Sequence, residues 1–351
     1  MLSLQEAAKL CHAGQTTPLD EIPTLIRLLL DPNQSSEDKK AYLLALKQRG
    51  ETADELAAFA LCFRELATPP PASLLALQTD TTPFLDSCGT GGGALPLFNV
   101  STATAFVLIA AGLTITKHGN RAITKSSGSA DVLEALGLRI DLSPDQIEAQ
   151  LRTTHFAFLF APQWHPAFKA IAPIRKELAS AGHRTIFNLL GPLLNPLRPR
   201  IQILGVFKKE HGPLFHAALK KIGCQRFAVV YGELPDGRPC GEVSPYGLGQ
   251  LWTSHPHIPI SLQNIQPHYA VEKVFVAHPQ ESAQLIEAVL QGKEQGPARS
   301  FLVANAAVAL TIAEKTSDIT SGYRLAAELI DSRAAWKALK QLRDWQQAHL
   351  Q

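Results

Sequence analysis

The sequence predicts an α/β fold in which a small N-terminal helical domain precedes a larger α/β domain built on a mainly parallel central sheet. Three observations predict it. Residues before the run Thr68-Pro69-Pro70-Pro71 repeat apolar side chains at helical intervals. Beyond that run, short apolar strands alternate with helices, which calls for parallel strands joined by helical crossovers. The length of 351 residues exceeds what one compact core usually holds.

In the N-terminal part, Asp31-Pro32-Asn33 ends one helix; Ser35 and Ser36 start the next, which runs through Leu43, Leu44 and Leu46 and stops at Gly50. Thr52 and Glu55 have capping-box spacing, and Leu56, Phe59, Ala60, Phe63 and Leu66 then line one helical face. The proline run cannot continue a helix and marks the linker, giving domains 1–70 and 71–351. Phe84-Leu85-Asp86 leads into a glycine loop, followed by a helix from Asn99 to Gly112, a strand over 113–116 and a helix from Ser129 to Gly137. Ser143-Pro144-Asp145-Gln146 opens another helix with a cap, a first-turn proline and a capping-box glutamine. Strands are expected at 157–160, 202–206, 227–230 and 274–277. From Ala298 on, the chain is helical, and Phe301 to Ile312 reads as a buried core helix containing Asn305.

Charge and composition narrow the function. With 33 Lys+Arg against 31 Asp+Glu and no block of one sign, nothing proposes nucleic acid or a membrane surface as partner. Five cysteines without paired spacing exclude a complete disulfide framework, so a reducing, cytoplasmic setting is expected. The start at Met1 lacks the pattern of a signal peptide, and the apolar run Ala105 to Ile115 is shorter than the ~20 residues that span a bilayer.

The chemistry concentrates in three loops. Asp86-Ser87-Cys88-Gly89-Thr90-Gly91-Gly92-Gly93-Ala94 is a glycine loop whose N–H groups can approach an anion without a β-carbon in the way. Asn99-Val100-Ser101-Thr102 adds donors at a helix N-terminus, where the dipole favours phosphate. Taken alone, this loop is equally an ordinary turn and cap. Its partial match to a dinucleotide fingerprint fails, because the helix starts too late and Lys117-His118 stands where a ribose-binding carboxylate belongs. Lys117-His118-Gly119-Asn120-Arg121 directly after the next strand puts cations and an amide at the carboxyl edge of the sheet, and Thr124-Lys125-Ser126-Ser127-Gly128-Ser129 forms a second hydroxyl-rich cradle. Three such loops in succession favour one phosphate site over three unrelated surfaces. Arg175, in Ile174-Arg175-Lys176-Glu177, is by itself equally an ordinary helix surface.

Gly89-Thr90-Gly91-Gly92, Asn99-x-Ser101-Thr102, Lys117 to Arg121, Ser127-Gly128-Ser129-Ala130-Asp131 and Asn188-Leu189-Leu190-Gly191-Pro192-x-x-Asn195-Pro196 occur in the order and spacing of anthranilate phosphoribosyltransferases. The chain resembles that family over nearly its whole length. The resemblance implies a nucleoside phosphorylase/phosphoribosyltransferase-like fold, a helical segment near 166–196 packing on the N-terminal domain, and a homodimer. It also implies transfer of the phosphoribosyl group of 5-phosphoribosyl 1-pyrophosphate (PRPP) to anthranilate in tryptophan biosynthesis, with Mg²⁺ as cofactor. Carried over by position, Gly89, Thr90, Gly91, Gly92, Asn99, Ser101, Thr102, Lys117, Gly119, Lys125 and Ser129 would hold PRPP. Gly89, His118, Asn120 and Arg175 would hold anthranilate, with Lys117 and Asn120 positioning the reactants. Ser101 and Glu242 would hold the metal.

Several positions depart from the family. Gly93 replaces an Asp, Leu97 a Thr, and Lys125 a phosphate-contacting Ser; Cys240-Gly241-Glu242 keeps one carboxylate of an Asp-Glu metal pair. The segment from Ala179 to His183 looks longer than the corresponding loop. These departures leave, as the alternative, a non-catalytic or altered-specificity paralogue that takes another aromatic acid or nucleic acid.

Overall fold

The computed structural model describes residues 1–91, 95–122, 127–255 and 271–350, with the side chain of Val271 excepted. Six strands form one sheet: β1 (Phe84–Gly89), β2 (Thr114–Gly119), β3 (Phe156–Phe160), β4 (Ile201–Gly205), β5 (Arg226–Gly232) and β6 (Gly249–Thr253), in the order β3-β2-β1-β4-β5-β6. The first five run parallel; β6 pairs antiparallel to β5 at one edge. The chain lays strands outward from β1 on one side, then returns to build the other side from β4. The order therefore switches between β1 and β4, where open α/β sheets leave a crevice at the carboxyl ends of their strands. In that crevice Gly89 pairs in register with Gly205.

Alternation along the strands separates the cores. Leu85, Ile203, Ala228 and Val230 pack with the C-terminal helices around Pro297–Ile312, which is buried over its whole apolar stretch. Leu204, Val206, Phe227 and Val229 face the other way, into a core shared with the N-terminal helices Leu4–His12, Ile22–Leu30, Ser36–Arg49 and Ala53–Glu65. Residues of the helices Phe168–Ser180 and Ile186–Leu190 complete that second core. The caps at Thr52/Glu55 and Ser143/Gln146 both form.

Two expectations are corrected and one strand is added. Residues 274–277 are not a sheet strand: a 3-10 turn covers Val271–Val274, and Phe275 makes an isolated bridge to Leu97. Strand β6 is not announced by the sequence, because Gly249–Thr253 is exposed or half-buried throughout and has no inside/outside alternation to betray it. Lys117 to Gly119 do not follow β2 but form its last residues, since both long polar side chains find partners at the strand end. Among the described residues, no helix is long and apolar enough to cross a membrane.

Candidate active site

Strand β2 ends with two consecutive buried polar side chains, which a pleated strand sends to opposite faces of the sheet. Lys117, 2% exposed, is on the face of the helix Val100–Ala110. Its Nζ donates to the Ser87 carbonyl and, at 3.2 Å, to Ser101 Oγ, so one cation ties together β1, β2 and the start of that helix. The loops converge further. Thr90 N–H donates to the Gly205 carbonyl at 3.0 Å, and Gly91 turns with φ +66°. The Asn99 side chain bonds to Ser127. A β-carbon on Gly119 would lie 2.0 Å from Ser129 Oγ, so only glycine lets β2 meet the first residue of the helix Ser129–Ala135 this closely. Asp131 steadies that loop by accepting the N–H groups of Gly128 and Ala122 at 2.9 and 2.8 Å. Thr102 Oγ1 is buried with no hydrogen-bond partner. Gly92, Gly93 and Lys125 lie outside the described residues.

Glu242 reaches the same place from the turn that follows β5. Its carboxylate accepts the Ser101 backbone N–H, and burial pushes its pKa up to about 7 although Lys117 is near. The turn carrying it presses onto the strand ends, with the Gly241 carbonyl 1.8 Å from where a β-carbon on Gly205 would stand. Asn305 fixes the turn, its Oδ1 accepting the Val243 N–H at 2.9 Å and its Nδ2 donating to the Val243 carbonyl at 3.0 Å. Asp86 is a second buried carboxyl, pushed up to about 6 by desolvation against the pull of Lys117 and held by Asn195 at 2.9 Å. Lys117 lowers both carboxyl groups against the burial that raises them. Among the described residues, no three His, Cys, Asp or Glu side chains gather for a metal. A single carboxylate beside a hydroxyl still suits Mg²⁺, which commonly takes one or two carboxylates and completes its shell with phosphate oxygens and water.

On the other face, His118 belongs to a cluster that sequence reading mostly misses. Its ring bonds to the Gly191 backbone, its Nε2 has no partner, and burial pushes its pKa down to about 3. The His165 ring meets it edge-on at 5.1 Å, and Phe168, Phe63 and Phe187 continue the wall. Arg175 stacks over Phe168 and Phe187 at 5.2 and 5.6 Å, its pKa lowered by desolvation alone, and no carboxylate among the described residues pairs with it. This is no ordinary helix surface. Asn120 is exposed, with its Oδ1 on the Arg121 N–H at 2.8 Å, and Arg121 turns away to Glu134. The segment from Ala179 to His183 begins inside the helix Phe168–Ser180, so part of the apparent extra loop is helical.

His165 supplies a pH prediction. Burial pushes its pKa down to about 4 from an unfolded value of 6.5, so its contribution to stability is complete above pH 6.5 and is lost as pH falls toward 4. Asp86 and Glu242, both raised, act in the opposite sense, so the wild-type curve mixes the two. The H165Q variant isolates the imidazole. Between pH 7 and 4.5 its stability relative to wild type should rise by about 2–3 kcal/mol in urea unfolding, and a gap that does not change with pH would rule this out.

A switch-point crevice with a buried lysine among glycine and hydroxyl loops on one face and an arginine stacked on aromatic rings on the other is an arrangement in keeping with a glycosyltransferase of the α/β class. A family model described as "Glycosyl transferase family, a/b domain" matches residues 81–336. Anthranilate phosphoribosyltransferase of Synechococcus elongatus is 42% identical over 86% of this chain and 85% of its own length, and that of Anaeromyxobacter sp. strain Fw109-5 is 37% identical over 95% and 94%. The structure of the Thermus thermophilus enzyme superposes with a TM-score of 0.80 at 34% identity, covering 96% of this chain and 98% of that one. The Saccharomyces cerevisiae enzyme in complex with PRPP and Mg gives 0.75 at 26% identity, covering 98% and 93%. The chain belongs to the anthranilate phosphoribosyltransferase family.

Proposed function

We propose that this protein transfers the phosphoribosyl group of PRPP to the amine of anthranilate, giving N-(5-phosphoribosyl)anthranilate and pyrophosphate, a step of tryptophan biosynthesis. The observation that carries the reading is the divergence at the end of β2, where Lys117 enters the phosphate cradle and the next residue enters the pocket of the uncompensated Arg175. The bond from ribose C1 to pyrophosphate breaks as the nitrogen–C1 bond forms, so the sugar passes through a cationic state and most of the catalysis is alignment and charge stabilisation. Lys117, the backbone at Gly89, Gly91 and Gly119, and the hydroxyls of Thr90, Ser101, Thr102 and Ser129 hold the phosphates; Gly92, Asn99 and Lys125 belong to the same set. Glu242 and Ser101 would hold Mg²⁺, which when bound offsets the charge of the leaving pyrophosphate. Arg175 takes the carboxylate of anthranilate while Phe168 and Phe187 keep water from its ring. His118 Nε2, neutral and unpartnered, accepts a hydrogen bond from the attacking amine, and Asn120 and Gly89 close the acceptor side.

The division into domains 1–70, joined by the segment near 166–196, and 71–351 belongs to this reading, as does a cytoplasmic homodimer; the exposed Leu19, Leu61 and Leu66 of the N-terminal part support the dimer. Purified protein with PRPP, Mg²⁺ and anthranilate should extinguish anthranilate fluorescence as product forms. No turnover at high enzyme concentration overturns the assignment.

A further inference from the structure

We propose that Ser282 is a positioning residue for the phosphate site, acting through Asn99 to clamp the loop ahead of Ser129 against the start of the helix Val100–Ala110. The kinetic part of this inference rests on the PRPP reading above. Ser282 is 0% exposed and lies in the helix Pro279–Leu290, far along the chain from every loop it affects. Its Oγ donates to Asn99 Oδ1 at 2.9 Å and accepts the Asn99 backbone N–H at 2.9 Å. The same Oδ1 receives the hydroxyl of Ser127, and Asn99 Nδ2 donates to the Ser127 carbonyl at 3.0 Å.

Both acceptor sites of the carboxamide oxygen are therefore filled, one from each side, and the plane of the amide is fixed. The usual task of an asparagine at this position, capping the helix with its side chain, is not performed. The side chain serves instead as a coupling between two loops, and at the helix N-terminus the Ser101 N–H goes to Glu242. Ser127 is pinned two residues before Ser129, which itself sits against Gly119. Without the hydroxyl of Ser282, Asn99 loses a donor to its side chain and the acceptor of its backbone N–H at once, and only Ser127 is left to hold the amide.

Calorimetric titration of PRPP in the presence of Mg²⁺ into wild type, S282A, N99A and the double variant tests this. S282A should weaken PRPP binding about tenfold, the value of one to two buried hydrogen bonds, with the KM for anthranilate and kcat within twofold of wild type. On the N99A background, S282A should add less than a twofold change. A second arm needs no ligand: hydrogen exchange over residues 127–132 of the free protein should quicken in S282A and in N99A and no further in the double variant. Additive effects of the two substitutions, or exchange in S282A equal to wild type, would overturn the proposal. Absence of PRPP binding by the wild type would instead sink the donor-site reading, and the exchange arm would still judge Ser282.

Discussion

Replacement of Lys117 by Met should lower kcat/KM for PRPP by about 10²- to 10³-fold, the cost of removing one preorganised charged donor from a developing anion. The loss reaches beyond the ligand. The charge of Lys117 opposes the burial that raises both Asp86 and Glu242, and its Nζ links the Ser87 carbonyl to Ser101. Without it two buried carboxyl groups have no counter-charge and must take up protons. Losing the two hydrogen bonds of a buried charged donor costs about 2–4 kcal/mol, so the melting temperature should fall by roughly 3–6 °C. K117R should not restore activity, because a planar fork cannot occupy the space of a compact ammonium. Turnover of PRPP by K117M within a few-fold of wild type would remove this residue from the donor site.

The second large effect separates function from stability. R175L should raise the KM for anthranilate about 10²-fold, the loss of a charge-assisted carboxylate pair worth about 2–3 kcal/mol, while PRPP affinity stays within twofold. Yet the folded protein should melt no lower than wild type. Arg175 is desolvated, has no carboxylate partner among the described residues, and is held by stacking on Phe168 and Phe187. Leucine gives up that stacking but also the penalty of an unpaired charge. R175K would retain charge and lose the planar stack, so it should recover little. Thermal denaturation and two-substrate kinetics on the same preparations decide the matter; a variant that loses stability and both substrates together would make Arg175 a structural residue.

What can be read from the sequence is local or linear. Thr52/Glu55 and Ser143/Gln146 announce helix starts because a cap is satisfied within four residues, and the glycine loop announces itself by composition. The end of β2 is misread because Lys117 and His118 look like loop residues until the sheet supplies Ser101 to one and Gly191 to the other. Strand β6 has no pattern of its own and exists only because β5 offers it an edge. In the site, His165, Phe168 and Phe187 give no signal, since a histidine and two phenylalanines in a helical stretch are indistinguishable from core until Phe63 and His118 close on them. Asn305 is visible only as an odd polar residue in an apolar helix, and its partner Val243 is reached by packing, not by sequence distance. Glu242 is legible as a candidate carboxylate, although the reason its turn can lie over the strand ends, the bare backbone of Gly205, is not.

His165, Phe168, Arg175 and Phe187 all come from one unbroken stretch of chain, whereas the phosphate cradle is assembled from β1, β2 and segments scattered as far as Glu242. The two halves of the reaction are consequently inherited in different ways. Substitutions confined to that stretch can reshape the wall that meets His118 and Phe63, while any change around Lys117 must be accommodated by segments spread from β1 to Glu242.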